Sequence, residues 1–248
     1  MSPTQSSTAN VLLRVLNEDD YALLAPHLKR TRLKLKDRLF EPDTKTETVH
    51  FLESGVGSIV ASHGGEDHVE VGLFGREGMS GVAVILDAGQ SPHASMIQSG
   101  DPVSLAIASE RLVDACEQSP ALRNLLLRYA QSLSVQTALT AKANAQYALP
   151  ERLARWLLMC HDRLDGDRLE ITHALISMML AVRRSGVTVS LHALEAVGAI
   201  KTTRGFVTVV DRARLEGAAG GSYGQAEIEY RRLIGPFGKG MVGHQLYR

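Results

Sequence analysis

The chain has 248 residues, enough for one large domain or two ordinary ones with a sizeable core. Lysine plus arginine and aspartate plus glutamate are equal at 27 each, so no global field points to nucleic acid or an acidic membrane, and any such partner is met locally. The balance is uneven, because residues 151–214 carry ten basic and seven acidic side chains and leave the remainder net acidic.

Two cysteines, Cys116 and Cys160, are too few for a disulfide framework, and their apolar helical contexts read as buried structural thiols. The stretch MSPTQSSTAN is polar. No later run reaches the roughly 18 apolar residues of a membrane span, so the chain reads as soluble and cytoplasmic.

In chain order, residues 1–11 read as a flexible tail, and EDDYALLAPHLKRTRL carries the apolar spacing and early acids of a short helix. From about Leu39 to Ile107 the text breaks into the β-prone pieces TVHFL, GSIVAS, HVEVGLF, GVAVIL and ASMIQ, separated by clusters such as HGGED and DAGQSP. That pattern predicts an antiparallel roll within residues 12–118. After Ser119-Pro120 the periodicity becomes helical, and Leu122, Leu126, Tyr129, Leu133, Gln136, Thr140 and Ala143 follow a 4-3-4-3 spacing. The stripe either packs on its own domain or zips to a second copy. The second reading is preferred and makes residues 119–147 a dimerisation helix, although the later half of the stripe is polar.

ALPERLARWLLMCHDRL restarts a helix at Pro150, which puts a domain boundary near Gln146 to Leu149 and a second domain over 148–217. Thr172 is placed to cap THALISMML, whose Leu175, Ile176, Met179 and Leu180 share one face; after a short break Val187, Leu191, Leu194 and Val197 share another. AIKTTRGFVTVVDRARL then reads as two β-prone runs around a glycine turn. Helix, turn, helix, hairpin is the order of a winged helix-turn-helix, and the fold class is α+β. Residues 218–248 form a glycine-bearing extension whose Ile228, Tyr230, Leu233 and Ile234 are available to dock on the winged domain.

The C-terminal half resembles the DNA-binding domain of the Crp/Fnr family, the cyclic-AMP-receptor-type bacterial transcription regulators. VHFLESGVGSIVAS with VGLFGREGMSG resembles that family's sensor, a cyclic-nucleotide-binding-like jelly roll, so the resemblance covers residues 12–217. It implies that AVRRSGVTVSLHALEAVGAIK holds the recognition helix, whose first exposed residues enter the major groove. Arg184 falls where the family commonly has a base-reading arginine, suited to the O6 and N7 acceptors of guanine. Arg183, Ser185 and Thr188 flank it as further base readers, and Thr172, His192, Lys201, Thr203 and Arg204 are candidates for phosphate contact. Ser185 and Val189 replace an acid and a second arginine of the receptor, so a different DNA sequence is expected. A basic helix start opposes the dipole, which favours a DNA role over chance placement.

In the cyclic-nucleotide-binding members a glutamate after the roll glycine takes the ribose hydroxyl, and an Arg-Ser or Arg-Thr pair grips the cyclic phosphate. The matching places here are Gly78, Met79 and Ser80, and His93 with Ala94. Met79 stands for the acid, and a neutral imidazole does not replace a permanent guanidinium charge. The resemblance therefore implies a sensor that does not bind cyclic AMP, its pocket holding another ligand or its own side chains. An iron–sulfur sensor needs about four cysteine ligands, which the region before Cys116 does not supply. His27, His50, His63, His68 and His93 show no spacing diagnostic of haem.

SHGGEDHVEVG offers His63, His68 and Glu70 as metal-ligand types, which would suit a cupin-like metal-dependent enzyme or another ligand-binding β-roll. The histidines flank a glycine turn and lack the closer His-x-His of such sites, so a solvated turn is preferred. No Ser-His-Asp arrangement, phosphate loop or catalytic carboxylate pair stands above chance. The expected protein is a homodimeric regulator, not an enzyme, that binds double-stranded DNA at a palindromic promoter site. RNA polymerase is an expected partner, a small-molecule effector is left open, and no cofactor, metal or membrane is expected.

Overall fold

The computed structural model describes residues 3–62, 68–100 and 102–239. The whole HGGED turn, His63 included, and residues 240–248 of the extension lie outside the described residues.

The N-terminal part begins with α1 (Val11–Arg14) and α2 (Glu18–Leu24), followed by β1 (Lys29–Arg32), β2 (Arg38–Phe40), β3 (Thr48–Leu52), β4 (Val56–Ser62) and β5 (His68–Phe74). A one-turn helix α3 (Val82–Ile85) precedes β6 (Ala94–Ser99) and β7 (Val103–Ala108), and α4 (Ser109–Gln118) leaves the roll. The strands form two antiparallel sheets, β1-β7-β3 and β2-β6-β4-β5. Leu33, Leu52, Phe74 and Ile97 fill the space within the roll.

Three expectations about this part are corrected. Residues 3–10 are not a loose tail: the buried Asn10 amide donates to Leu52 O and Gly78 O, its side-chain oxygen caps α1, and the Gln5 amide donates to Leu16 O. EDDYALLAPHLKRTRL is helical only in its first half, because Pro26 sits where the helix tightens and ends, and Lys29–Arg32 becomes an edge strand. GVAVIL is α3 rather than a strand. Gly81 (φ +70°) and Asp87 (φ +61°) turn the chain at both ends, and burial of the adjacent Val84 and Ile85 overrides β propensity.

Ser119 caps α5 (Pro120–Gln146) through its hydroxyl oxygen, with Pro120 at the first helical position, where its missing N–H costs nothing. The dimer assignment of the heptad stripe is corrected. Leu122, Leu126, Tyr129, Leu133 and Gln136 are all buried within the chain. Tyr129 donates to Met79 O, and the Gln136 amide both accepts from Leu73 N–H and donates to Leu73 O. A heptad stripe reports that a face is buried, not which partner covers it.

The second part contains α6 (Leu149–Arg163), β8 (Arg168–Glu170), α7 (His173–Met179), α8 (Arg184–Ala196), β9 (Ile200–Thr203), β10 (Phe206–Val209) and α9 (Arg212–Ala218). β8, β10 and β9 make a small antiparallel sheet in that order. Ile176, Met179, Val187, Leu191 and Leu194 join the core around α6, whereas Val197, expected beside them, is 49% exposed at the end of α8.

The extension is also relocated. Its helix α10 (Gln225–Leu233) lies against α5 rather than on the winged domain, and Tyr230 donates to Glu77 O at 2.5 Å. Tyr230 and Ile234 belong to the core of the N-terminal part.

The two parts meet along α6. Trp156 Nε1 donates to Glu70 Oε1 (2.7 Å), Gln98 Nε2 approaches Cys160 Sγ (3.7 Å), and Met179 Sδ lies 3.9 Å from Ser58 Oγ. Arg163 donates to Glu77 at 2.7 Å and to Met159 O at 2.8 Å, with both charged side chains buried and Phe237 stacked 4.9 Å from the guanidinium. Removing one member of such a pair strands the other charge. Arg163→Met is expected to lower unfolding free energy by about 3–5 kcal/mol, and adding Glu77→Gln to recover most of it, as read by denaturant titration.

Glu70 reports on the same joint. Ser58 Oγ lies 2.7 Å from Glu70 Oε2 and 2.5 Å from Gln98 Oε1, and one hydroxyl proton serves only one of them. A protonated Glu70 supplies the other bond, in keeping with burial, which raises its carboxyl from 4.5 to about 7. The folded state therefore holds this proton more tightly than the unfolded chain. Stability that is full below about pH 4.5 is lost as pH rises to about 7, by up to about 3 kcal/mol. Glu70→Gln is expected to flatten the melting temperature across that window.

Candidate nucleic-acid interface

Helix α7 starts where Thr172 Oγ1 accepts the Leu175 N–H at 3.2 Å. It ends at Leu180-Ala181, and Ala181 adopts the left-handed conformation (φ +51°) that turns the chain. Ser177 closes the turn, its hydroxyl donating to Val182 O while its carbonyl accepts Val182 N–H. The axes of α7 and α8 then differ by 107°, within the range of a helix-turn-helix.

Apolar residues at helical spacing fix which side of α8 is presented. Val187, Leu191 and Leu194 point into the core, and Arg184, Ser185, Val189 and His192 are left exposed, with Thr188 half-buried. The hairpin of β9 and β10 turns at Arg204-Gly205, where Gly205 (φ +81°) takes a conformation that costs other residues more. Thr202 ties this wing to α8, its amide and hydroxyl donating to Glu195 Oε1 at 2.6 and 2.7 Å. Those bonds hold the Glu195 carboxyl below its ordinary range, so this acid is occupied inside an otherwise basic surface. Arg168 stacks 3.7 Å from the Phe206 ring at the base of the wing.

The result is an open concavity of about 840 Å³ lined by Thr172, His173, Ala174, Arg184, Thr202, Thr203, Arg204 and Gly205. Four sequence candidates, Thr172, Arg184, Thr203 and Arg204, come together there. Arg183, Ser185, His192 and Lys201 are exposed on the same domain but do not line it. Thr188 donates to Arg184 O at 3.1 Å, so its proton belongs to the helix and its oxygen remains as an acceptor. His173 and Thr202 were missed by sequence reasoning. His173 Nδ1 lies 3.4 Å from Thr188 Oγ1, a relation that only the crossing of α7 and α8 creates; its place one residue after the capping Thr172 was the available signal.

The degenerate effector positions are divided between the two sheets of the roll. Met79 is fully buried and bridged to Phe51, Ser80 accepts the His50 N–H, and Gly78 is pressed so closely on Tyr129 that an added Cβ would lie 2.3 Å from the phenol oxygen. Ala94 is paired with Val60 on the other sheet, and His93 is half-buried beside it. Glu70, a candidate metal ligand, is taken by Ser58 and Trp156. Among the described residues no three His, Cys, Asp or Glu side chains are grouped to hold a metal ion, and no single helix is long and apolar enough to cross a membrane.

Residues 151–218 match the Crp-like helix-turn-helix domain. No curated protein matches the chain in sequence. Among solved structures, a regulator assigned to the Crp/Fnr family from Eubacterium rectale aligns with TM-score 0.66 at 18% identity, covering 84% of this chain and 97% of its own. The c-di-GMP-responsive global regulator CLP of Xanthomonas campestris aligns with TM-score 0.62 at 17% identity over 79% and 100% of the two chains. The CRP-family regulator TTHB099 of Thermus thermophilus gives 0.62 at 19% over 77% and 96%. At such identities the likeness is one of fold. Residues 151–218 therefore carry a Crp-like helix-turn-helix domain, and the chain as a whole shares the fold of solved Crp/Fnr regulators.

Proposed function

We propose that the protein is a sequence-specific DNA-binding transcription regulator that acts as a homodimer on a palindromic promoter site. The observation that carries the reading is the convergence of Arg184 from α8, Thr172 from the start of α7 and Thr203 and Arg204 from the wing on one open surface. Arg184 reads base edges from the first turn of α8, with Arg183, Ser185 and Thr188 beside it. Thr172, His192, Lys201, Thr203 and Arg204 hold the phosphates on either side.

The dimer is read from the outward face of α5 instead of the buried stripe. Leu127, Gln131, Ser134, Ala138, Ala141 and Ala145 repeat there at a 4-3 spacing, exposed or half-buried. Small side chains on that face let a second helix approach closely, and two recognition helices then address successive major grooves about 34 Å apart. RNA polymerase is the partner such a promoter-bound dimer would meet. Cyclic AMP is not its effector on this reading, since Met79 is buried where the ribose acid would stand and His93-Ala94 replace the phosphate grip.

Selection of bound sequences from random duplex DNA tests the whole reading, with a palindrome expected and an unstructured pool overturning it. On the selected site, Arg184→Ala is expected to cost about 1–3 kcal/mol and to relax preference at one position per half-site. Unchanged affinity and preference would remove its base-reading role. Ala138→Glu is expected to shift the sedimenting species from dimer to monomer, and micromolar cyclic AMP to leave both the melting temperature and DNA affinity unchanged.

A further inference from the structure

The roll carries an acidic groove that the DNA-binding reading does not use. A hollow of about 360 Å³ opens between the residues leading into β3, the segment after α3 and the start of α4. A second of about 190 Å³ continues it, the two sharing Val84, Asp87 and Val113. The larger one is of the size that holds a small molecule. The carboxylates of Glu47, Asp87, Glu110, Asp114 and Glu117 line the groove, against the cations Lys45 and Arg123. Lys45 lies 3.7 Å from Glu47, and Asp114 lies 3.4 Å from Arg111. Asp87, Glu110 and Glu117 are exposed and form no ion pair among the described residues. Glu110 sits in the first turn of α4, where an acid suits the helix dipole, but that accounts for one carboxylate only.

Thr46 is the independent sign of a ligand. It lines the larger hollow, it is 2% exposed, and its hydroxyl oxygen has no hydrogen-bond partner. Its backbone is fixed, the N–H donating to Gly89 O at 3.0 Å and the carbonyl accepting the Ser109 hydroxyl at 2.6 Å. Its methyl is turned to Gly81, where an added Cβ would lie 3.0 Å from Thr46 Cγ2, so the hydroxyl is left on the groove side. A buried hydroxyl without a partner costs stability, and a donor arriving from the groove offsets that cost. The same backbone bonds tie the three walls together, so the groove is formed before anything enters it.

The charge is spread along the groove rather than focused. Among the described residues no three His, Cys, Asp or Glu side chains are grouped to hold a metal ion, so the carboxylates suit a cation that is itself extended. Val84 and Val113 lie among them and offer an apolar surface. We propose that the groove binds a linear aliphatic polyamine. One ammonium donates to Thr46 Oγ1, the others meet Asp87 and Glu110, and the methylene chain lies along Val84 and Val113. Ammonium groups separated by short alkyl runs repeat the alternation of acid and apolar side chain in the walls.

The inference does not rest on the DNA-binding reading, and its test uses the full chain without DNA. Isothermal titration with spermidine at fixed ionic strength is compared with magnesium chloride and with 1-aminobutane. Spermidine is expected to bind at one equivalent per chain, about 10-fold or more tightly than either control. Thr46→Val keeps the shape and removes the hydroxyl. It is expected to raise the melting temperature of the free protein and to weaken spermidine binding by about 5-fold or more. The exposed pair Asp87→Asn, Glu110→Gln is expected to weaken it by about 5-fold and to lessen its dependence on salt. Spermidine that binds no more tightly than magnesium, or an affinity unchanged in either variant, overturns the proposal and leaves the groove to a basic protein segment. Should Thr46→Val melt at a lower temperature, the exposed pair alone decides.

Discussion

The ion pair between Arg163 and Glu77 is the constraint around which the rest is arranged. Two charges are withdrawn from water, and each is tolerable only because the other is there, with Met159 O and Gly75 N–H taking further bonds. The pair sits at the end of α6, the helix that also forms the centre of the winged-domain core. An element that must satisfy a buried carboxylate on one side and a hydrophobic cluster on the other has little freedom to turn. Trp156 and Cys160, two and one helical turns earlier along the same face, repeat the contact with Glu70 and Gln98. The extension adds a lid, since Tyr230 and Phe237 close over the ion pair and exclude solvent from it.

This docking gives a chain of zero net charge a defined basic surface. The winged domain leans basic only slightly, so composition says little about DNA. What matters is that Val187, Leu191 and Leu194 are committed to the core, which leaves Arg183 and Arg184 facing outward beside the wing. Glu195, on the same helix, keeps its charge but has its Oε1 occupied by two donors from Thr202. Local arrangement therefore outweighs the global balance, as expected where charges act over distances comparable to the screening length.

Much of this was legible in the sequence. The strands TVHFL, HVEVGLF and ASMIQ, the capped α7, the core face of α8 and the glycine-turned wing all follow from period, cap and turn residues. So did Thr172, Arg184, Thr203 and Arg204, whose exposure is implied once the apolar partners are assigned. GVAVIL was not legible, because a short run of β-branched residues has the same pattern whether extended or coiled into one turn. The α5 stripe misled for a related reason. Tyr129 and Gln136 are spaced as a coiled-coil seam would be, yet they meet Met79 and Leu73 of the same chain.

By itself the sequence determined the helix–turn–helix–hairpin order of the second part, the buried faces of α5, α7 and α8 and the residues left exposed on α8 and the wing, because these depend on periodicity and local hydrogen bonding between near neighbours. Only the tertiary structure decided what covers each buried face. Arg163 and Glu77 lie 86 positions apart, and Tyr230 and Glu77 lie 153 apart. No local pattern signals such meetings, since they arise from the competition of whole elements to bury area and satisfy buried polar atoms. That competition turned a supposed dimer stripe inward and gave the opposite face of α5 to solvent.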